Sequence, residues 1–233
     1  MNTRRCVKPV IAVVLTLGTL ALPAGLWASQ TRPDSVVHAA PGGPDGWEAK
    51  WNRYQPADKV MDALGIKPGM VVAEFGAGRG RYAVQVAARV GATGKVYAED
   101  IDAEALEYLK TRCARDTISN IETILGDTTD PKLPPASCDF VYCINTYHHI
   151  GEPVPLLRNI IPALKPAGKL AIIEHTPEKR GKDGYKGRKD CTPIDSVLAQ
   201  AREAGYEFVE RHSFLELDEI YVFRAAKKGE SAK

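Results

Sequence analysis

Apolar and polar positions fall into blocks along this chain, and from Gly46 onward the blocks switch between two periods. Short, almost wholly apolar runs suit strands buried on both faces. They are MVVAEF (70–75), KVYAED (95–100), IETILGD (121–127), CDFVYCIN (138–145) and KLAIIEH (169–175). Between them lie stretches with apolar residues three and four apart, the helical spacing: RYAVQVAARVG, DAEALEYLKTRCARD, EPVPLLRNIIPALKPAG with KPAG as its exit, and PIDSVLAQAREAGY ended by Gly205. One further helix is predicted within GWEAKWNRYQPADKVMDALGI, with Pro56 at its start and Gly65 stopping it. EFVERHSF and EIYVFRAA close the chain as two strands with no helix between them. They must pair as a hairpin, so the last strand runs antiparallel. Strand–helix alternation of this kind predicts an α/β, Rossmann-like, doubly wound sheet of seven strands with its last strand antiparallel.

The first thirty residues break the rhythm. A basic head, MNTRRCVK, precedes an uncharged run over residues 9–28, and a loose Pro/Gly-rich stretch follows Ser29 and Gln30. This is the layout of an export signal, with a cut after Ala28. The uncharged run from Pro9 to Thr31 is also long enough to span a bilayer as an uncleaved anchor. Arg4–Arg5 suggests the twin-arginine route, which exports proteins already folded. The expected plan is a signal peptide or signal anchor over 1–28, a flexible linker over 29–46, one folded domain over 47–227 and a tail over 228–233. The expected location is periplasmic or otherwise exported, or membrane-anchored. Membrane contact is expected only if the segment stays uncleaved.

Charge changes once that head is set aside. The whole chain is +2, but Arg4, Arg5 and Lys8 lie in the head, leaving 28 basic residues against 29 acidic. The body therefore has no basic excess, and no nucleic-acid partner is expected. Cys113, Cys138, Cys143 and Cys191 are even in number and allow disulfides, yet Cys138 and Cys143 fall in an apolar run that suits small buried side chains. No Cys/His spacing points to a metal.

The chemistry gathers around VVAEFGAGRGRYA, residues 71–83. Glycines at Gly76, Gly78 and Gly80 follow a strand and open a helix, so backbone N–H groups and a helix N-terminus can approach a ligand closely. The dinucleotide pattern G-x-G-x-x-G fits poorly: counted from Gly76 its third glycine falls on Arg81, and counted from Gly78 on Ala83. Glu74, two residues before the first glycine, would repel a pyrophosphate and attract a ligand bearing an ammonium and a sulfonium. E-x-G-x-G-x-G resembles the first motif of the seven-stranded class I S-adenosylmethionine-dependent methyltransferases, and the resemblance runs from about Pro56 to Arg224. It implies a methyltransferase domain with S-adenosyl-L-methionine as cofactor, bound through Glu74, Gly76, Ala77, Gly78 and Gly80.

The later landmarks follow in order. In EDID, Asp100 lies where the family's acid grips the ribose hydroxyls, with Glu99 as the alternative, and Ile101 packs on the adenine. Asp127 resembles the residue that accepts from the adenine amino group, with Thr128 beside it. Asn145 ends the fourth strand near the reacting methyl, and LKPAGKLAIIEH matches the passage into the fifth strand. Arg79 and Arg81, in or beside the loop, are expected to face solvent.

Methyl transfer mainly needs alignment and exclusion of water; a base is needed only if the nucleophile is protonated. The catalytic candidates lie in NTYHHI: Asn145, Tyr147 and His148 or His149, with His148 favoured and His175 a weaker candidate. Two features stay open between two roles each: the basic segment 178–190 as a lid or a solvated loop, and Trp47, Trp51 and Tyr54 as a roof over the pocket or a cover for the sheet edge. No motif for base amino groups or for pyrimidine carbons occurs, so a small-molecule acceptor is expected. The rival classes are an exported nucleotide-binding or non-catalytic S-adenosylmethionine-binding module and an NAD-dependent oxidoreductase.

Overall fold

The structure, a computed structural model, describes residues 46–180 and 191–227. The leader, the linker up to Asp45, the tail and most of the basic segment 178–190 lie outside those residues. No helix among the described residues is long and apolar enough to cross a membrane.

Seven strands form one sheet: β1 (Val71–Phe75), β2 (Lys95–Asp100), β3 (Ile121–Leu125), β4 (Cys138–Ile144), β5 (Leu164–His175), β6 (Tyr206–His212) and β7 (Asp218–Ala225). Their order is β3-β2-β1-β4-β5-β7-β6. The first five run parallel, while β7 runs antiparallel to both β5 and β6, as the missing helix between the last two strands required. Helices α1 (Gly46–Tyr54), α2 (Ala57–Leu64), α3 (Ala83–Val90), α4 (Ala103–Arg115), α5 (Pro153–Ile160), α6 (Pro177–Arg180) and α7 (Ile194–Ala204) connect and cover them.

Alternate residues of the strands feed two apolar layers. Val72, Tyr142 and Ile173 pack with α2, α3 and Leu109 of α4 on one face. Ala73, Val141, Cys143 and Ile172 pack with Leu157 and Val197 of α5 and α7 on the other. Cys113, Cys138 and Cys143 are buried free thiols, small apolar fillers in these layers. Winding reverses between β1 and β4, so the crevice for a ligand opens beyond the carboxyl ends of those two strands.

The helix expected from Pro56 to Gly65 is α2, with those two residues at its ends; α1 precedes it as an additional helix, the two split at Gln55–Pro56. Proline disfavours helical backbone in the residue before it, and Gln55 turns fully inside instead. KPAG is no helix exit but the extended start of β5: Leu164 already pairs with Cys138, and an irregularity there precedes the regular ladder from Lys169.

Candidate active site

The glycine loop is built by opposing demands on its three glycines. Gly76, Gly78 and Gly80 all have left-handed backbone, φ +71°, +54° and +78°, which an L side chain tolerates poorly. A Cβ on Gly76 would overlap Thr146, and one on Gly80 would overlap Leu109. A Cβ on Gly78 would meet nothing within 4 Å. Two glycines thus let neighbouring segments close in, while the middle one faces open space.

Asp100, ending β2, closes on that open side. Its Oδ2 accepts from the Gly78 amide at 2.7 Å and its Oδ1 from the Asp102 amide at 2.9 Å. Asp102 in turn caps α4 through the Glu104 and Ala105 amides. Glu99, the alternative to Asp100, points the other way. It is buried, receives the Gly76 amide and fills the space that a Cβ on Gly126 would need. Burial first, and Asp100 second, push its pKa up to about 8. Asp127 and Thr128 lie exposed just past β3, with the Thr128 amide donating to Asp127 Oδ1 at 2.7 Å. Ile101 and Leu125 expose 42% and 51% of their surface at this same rim. The strand ends bring these residues together as expected.

Glu74 is placed differently. As an alternate residue of β1 it faces α3, beneath the loop, where its Oε2 accepts from the Tyr142 hydroxyl at 2.9 Å. Burial raises its pKa to about 8, against the opposing pull of Tyr142 and Arg81. Arg81 corrects a second expectation, because it does not face solvent. It donates to Asn52 Oδ1 (3.1 Å) and Gln55 Oε1 (2.7 Å) and lies over the Trp47 and Tyr82 rings. The helix end before the kink at Gln55–Pro56 offers it two amide acceptors, which offset a burial that lowers its pKa. Arg79 lies over the Tyr108 ring of α4, 4.9 Å from its centre.

Asn145 follows β4 with left-handed backbone, φ +53°. Its side-chain Oδ1 is buried and, among the described residues, meets no hydrogen-bond partner. Thr146 beside it donates to the Gly76 carbonyl at 3.2 Å, fixing this turn against the loop. An orphaned buried carbonyl is costly, and next to an open cradle it fits a ligand that donates hydrogen bonds. Tyr147 turns away from the crevice into the apolar layer under α7, and its hydroxyl donates to Gln200 at 2.8 Å. That contact removes it from the catalytic candidates.

His148 and His175 are each paired with a buried carboxylate. Glu174 is fully buried; its Oε2 accepts the His148 amide (3.1 Å), and its Oε1 accepts the His175 amide (2.8 Å) and faces His148 Nδ1 (2.8 Å). The carboxyl thus fixes the His148 ring through Nδ1, and the tautomer that donates from Nδ1 leaves Nε2 able to accept a proton. His175 Nδ1 lies 2.5 Å from Asp218 Oδ1, close enough for an ion pair although bent from good hydrogen-bond alignment. Asp218 Oδ2 accepts from Gln55 Nε2 at 2.9 Å. Glu174, Asp218 and Gln55 were not singled out from sequence; the only signal was an acid placed before His175 in an otherwise apolar run.

Known proteins agree with this geometry. Residues 72–168 match the family described as a methyltransferase domain. The chain is similar to a ubiquinone/menaquinone biosynthesis C-methyltransferase of Idiomarina loihiensis, 26% identical over 125 residues, covering 53% of this chain and 48% of that protein. The chain spans about half the length of the curated relatives it matches. Among solved structures, it is similar to an S-adenosylmethionine-dependent methyltransferase from Aquifex aeolicus, at 25% identity and TM-score 0.69, covering 76% of this chain and 96% of that one. The PH0226 protein of Pyrococcus horikoshii, at 14% identity and TM-score 0.63 over 78% and 92% of the two chains, shares the fold. The glycine loop and the acid beside it lie within the stretch that matches a methyltransferase domain, and the sheet that carries them is similar to that of an S-adenosylmethionine-dependent methyltransferase.

Proposed function

We propose that the protein transfers a methyl group from S-adenosylmethionine to a small-molecule acceptor that must lose a proton, with His148 as the general base. The observation that carries the reading is the juxtaposition of an open Gly78 cradle, the Asp100 carboxylate closing on it and the orphaned Asn145 carbonyl. Asp100 would hold the ribose, Ile101, Asp127 and Thr128 the adenine, and Asn145 the amino-acid end. Glu74 would support the loop from beneath, through its bond to Tyr142.

When bound, S-adenosylmethionine supplies a methyl carbon whose bond to sulfur breaks, the electron pair staying on sulfur, as the acceptor bonds to it. A proton released by a hydroxyl, or by a ring carbon that gains the methyl, must go to the protein. His148 Nε2 is the fitting acceptor, because Glu174 faces the other ring nitrogen at 2.8 Å and would orient the ring. The C-methyltransferase relatives favour a carbon acceptor, a reaction that needs such a base.

Calorimetry with S-adenosylhomocysteine tests the cofactor half. Binding should be measurable, and Asp100→Asn should weaken it at least tenfold, the equivalent of one hydrogen bond to a charged group. His148→Gln should keep that binding while abolishing labelled-methyl transfer into small-molecule extracts. Undetectable binding by the intact protein would overturn the reading.

The leader pattern supports a proposal of its own, that the domain works outside the cytoplasm. Cell fractionation finding the full-length chain in the cytosol would refute it.

A further inference from the structure

We propose that Gln55 is a positioning residue that couples the two halves of the site. It ties Arg81, at the glycine loop, to Asp218, beside His175, so that a ligand seated on the loop alters the setting of the His175 ring. The coupling rests on the cofactor reading of the loop; the tie itself does not.

Gln55 is fully buried, and both ends of its amide are engaged. Oε1 accepts from Arg81 Nη2 at 2.7 Å, and Nε2 donates to Asp218 Oδ2 at 2.9 Å. Its backbone is engaged too: the N–H donates to the Trp51 carbonyl at 2.8 Å, and the carbonyl accepts from the buried Tyr82 hydroxyl at 3.4 Å. The three residues belong to distant segments: Gln55 follows α1, Arg81 follows the third glycine, and Asp218 opens β7. No local backbone geometry sets their spacing. A side chain needed only to fill this space would be apolar, because a buried amide is costly unless its hydrogen bonds are made.

At the loop end, Arg81 sits one residue past Gly80, whose backbone is left-handed at φ +78°. A cofactor carrying an ammonium and a sulfonium brings positive charge toward this guanidinium, and like charges repel. Asn52 and Gln55 share the protons of Arg81, at 3.1 Å and 2.7 Å. Gln55 is the one that leads onward.

At the far end, Asp218 is fully buried. Its Oδ1 lies 2.5 Å from His175 Nδ1, a charged contact without hydrogen-bond alignment. Such a contact responds to small displacements of the carboxylate, since interior electrostatics is weakly screened. His175 passes the change on in two ways. Its ring stacks on His148, with centres 6.1 Å apart and planes inclined by 25°. Its amide donates to Glu174 Oε1 at 2.8 Å, the same oxygen that faces His148 Nδ1.

The test follows the ring resonances of His175 in the intact protein, labelled at histidine, as S-adenosylhomocysteine is added. In wild type they should move and saturate with the binding curve from calorimetry. Gln55→Glu keeps an acceptor for Arg81 but sets a like charge against Asp218. It should bind S-adenosylhomocysteine with near wild-type affinity and lose most of the His175 response. Gln55→Met keeps the length and loses both ends, so affinity should fall several-fold and the response should go with it. A residue with a structural role alone would lose response only in proportion to affinity, so the glutamate variant separates the two. His175 resonances that stay fixed as wild type saturates, or that move as fully in Gln55→Met, refute the coupling while leaving the cofactor reading intact. Absence of binding by wild type refutes both. Should both variants misfold, the wild-type response decides alone.

Discussion

The glycine loop makes two quantities separable that usually fall together, stability and ligand binding. Alanine at Gly78 would hold a side chain at φ +54°, a strain of about 1–2 kcal/mol, but its Cβ meets nothing. For a domain of this size that predicts a melting point lower by roughly 3–6 °C. Alanine at Gly76 carries the same strain at φ +71°, and all three heavy atoms of the Thr146 side chain would lie 2.9 Å away or closer. Thr146 must then rotate, giving up its bonds to the Gly76 and Ile144 carbonyls at about 1 kcal/mol each. The expected total is about 3–4 kcal/mol, or roughly 10 °C. Binding should rank the other way for its cause. Gly78→Ala places a methyl on the open side, so S-adenosylhomocysteine affinity should drop at least tenfold in a protein that remains well folded. Thermal melts and calorimetry on the two variants give both readings. Wild-type affinity in Gly78→Ala would refute the assignment of the open side to the ligand. Equal melting points for the two variants would refute the overlap argument.

Acid–base behaviour supplies a second prediction. Burial lifts Glu74 and Glu99 to about 8, so between about pH 4.5 and 8 the folded chain holds protons that the unfolded chain has released, and stability falls as pH rises through that window. Glu74→Gln should flatten the decline in melting point between pH 6 and 8; an unchanged slope would count against its buried, protonated state. Glu219 has the opposite sign: although burial pushes it up, its bonds to Arg211, Ser213 and Lys179 hold it down at about 2, so its contribution is present above about pH 4.5 and is lost as pH falls toward 2. Lys179→Met should lower stability by about 2–3 kcal/mol, because it strips partners from three carbonyls and from Glu219; a melting point within a degree of wild type would show that the β6–β7 turn holds without it.

Most of the fold was legible because it depends on period and order. Five apolar runs separated by helical spacing require a parallel sheet, and two final strands without a helix require a hairpin; both follow from local pattern. The placing of the glycine loop, Asp100 and Asn145 at one edge of the sheet was legible too, because strand ends fix it. What pattern could not convey was direction. Glu74 reads as an acid beside a loop, but strand parity turns it beneath the loop toward Tyr142. Tyr147 reads as a rim residue, yet its side chain follows the apolar layer to Gln200. Partners distant in sequence were equally hidden: Asp218 meets Gln55 across 163 positions, and His148 meets Glu174 across 26.

Arg81 shows why an apparent conflict in the sequence resolves in three dimensions. A guanidinium turned inward beside a sulfonium site would oppose the cofactor if its charge were unshared. It is shared: Asn52 and Gln55 receive its protons, and Asp218 lies near enough to favour its charge. The same contacts make it the first member of a chain running through Gln55 and Asp218 to His175. The loop that would hold the cofactor and the His175 ring stacked on the proposed base His148 are thus tied to one frame, anchored at the kink between α1 and α2. Gln55 can serve both ends only because an amide offers an acceptor to Arg81 and a donor to Asp218 at once. A carboxylate there would repel Asp218, and an aliphatic side chain would leave both Arg81 and Asp218 short of a partner in a buried place.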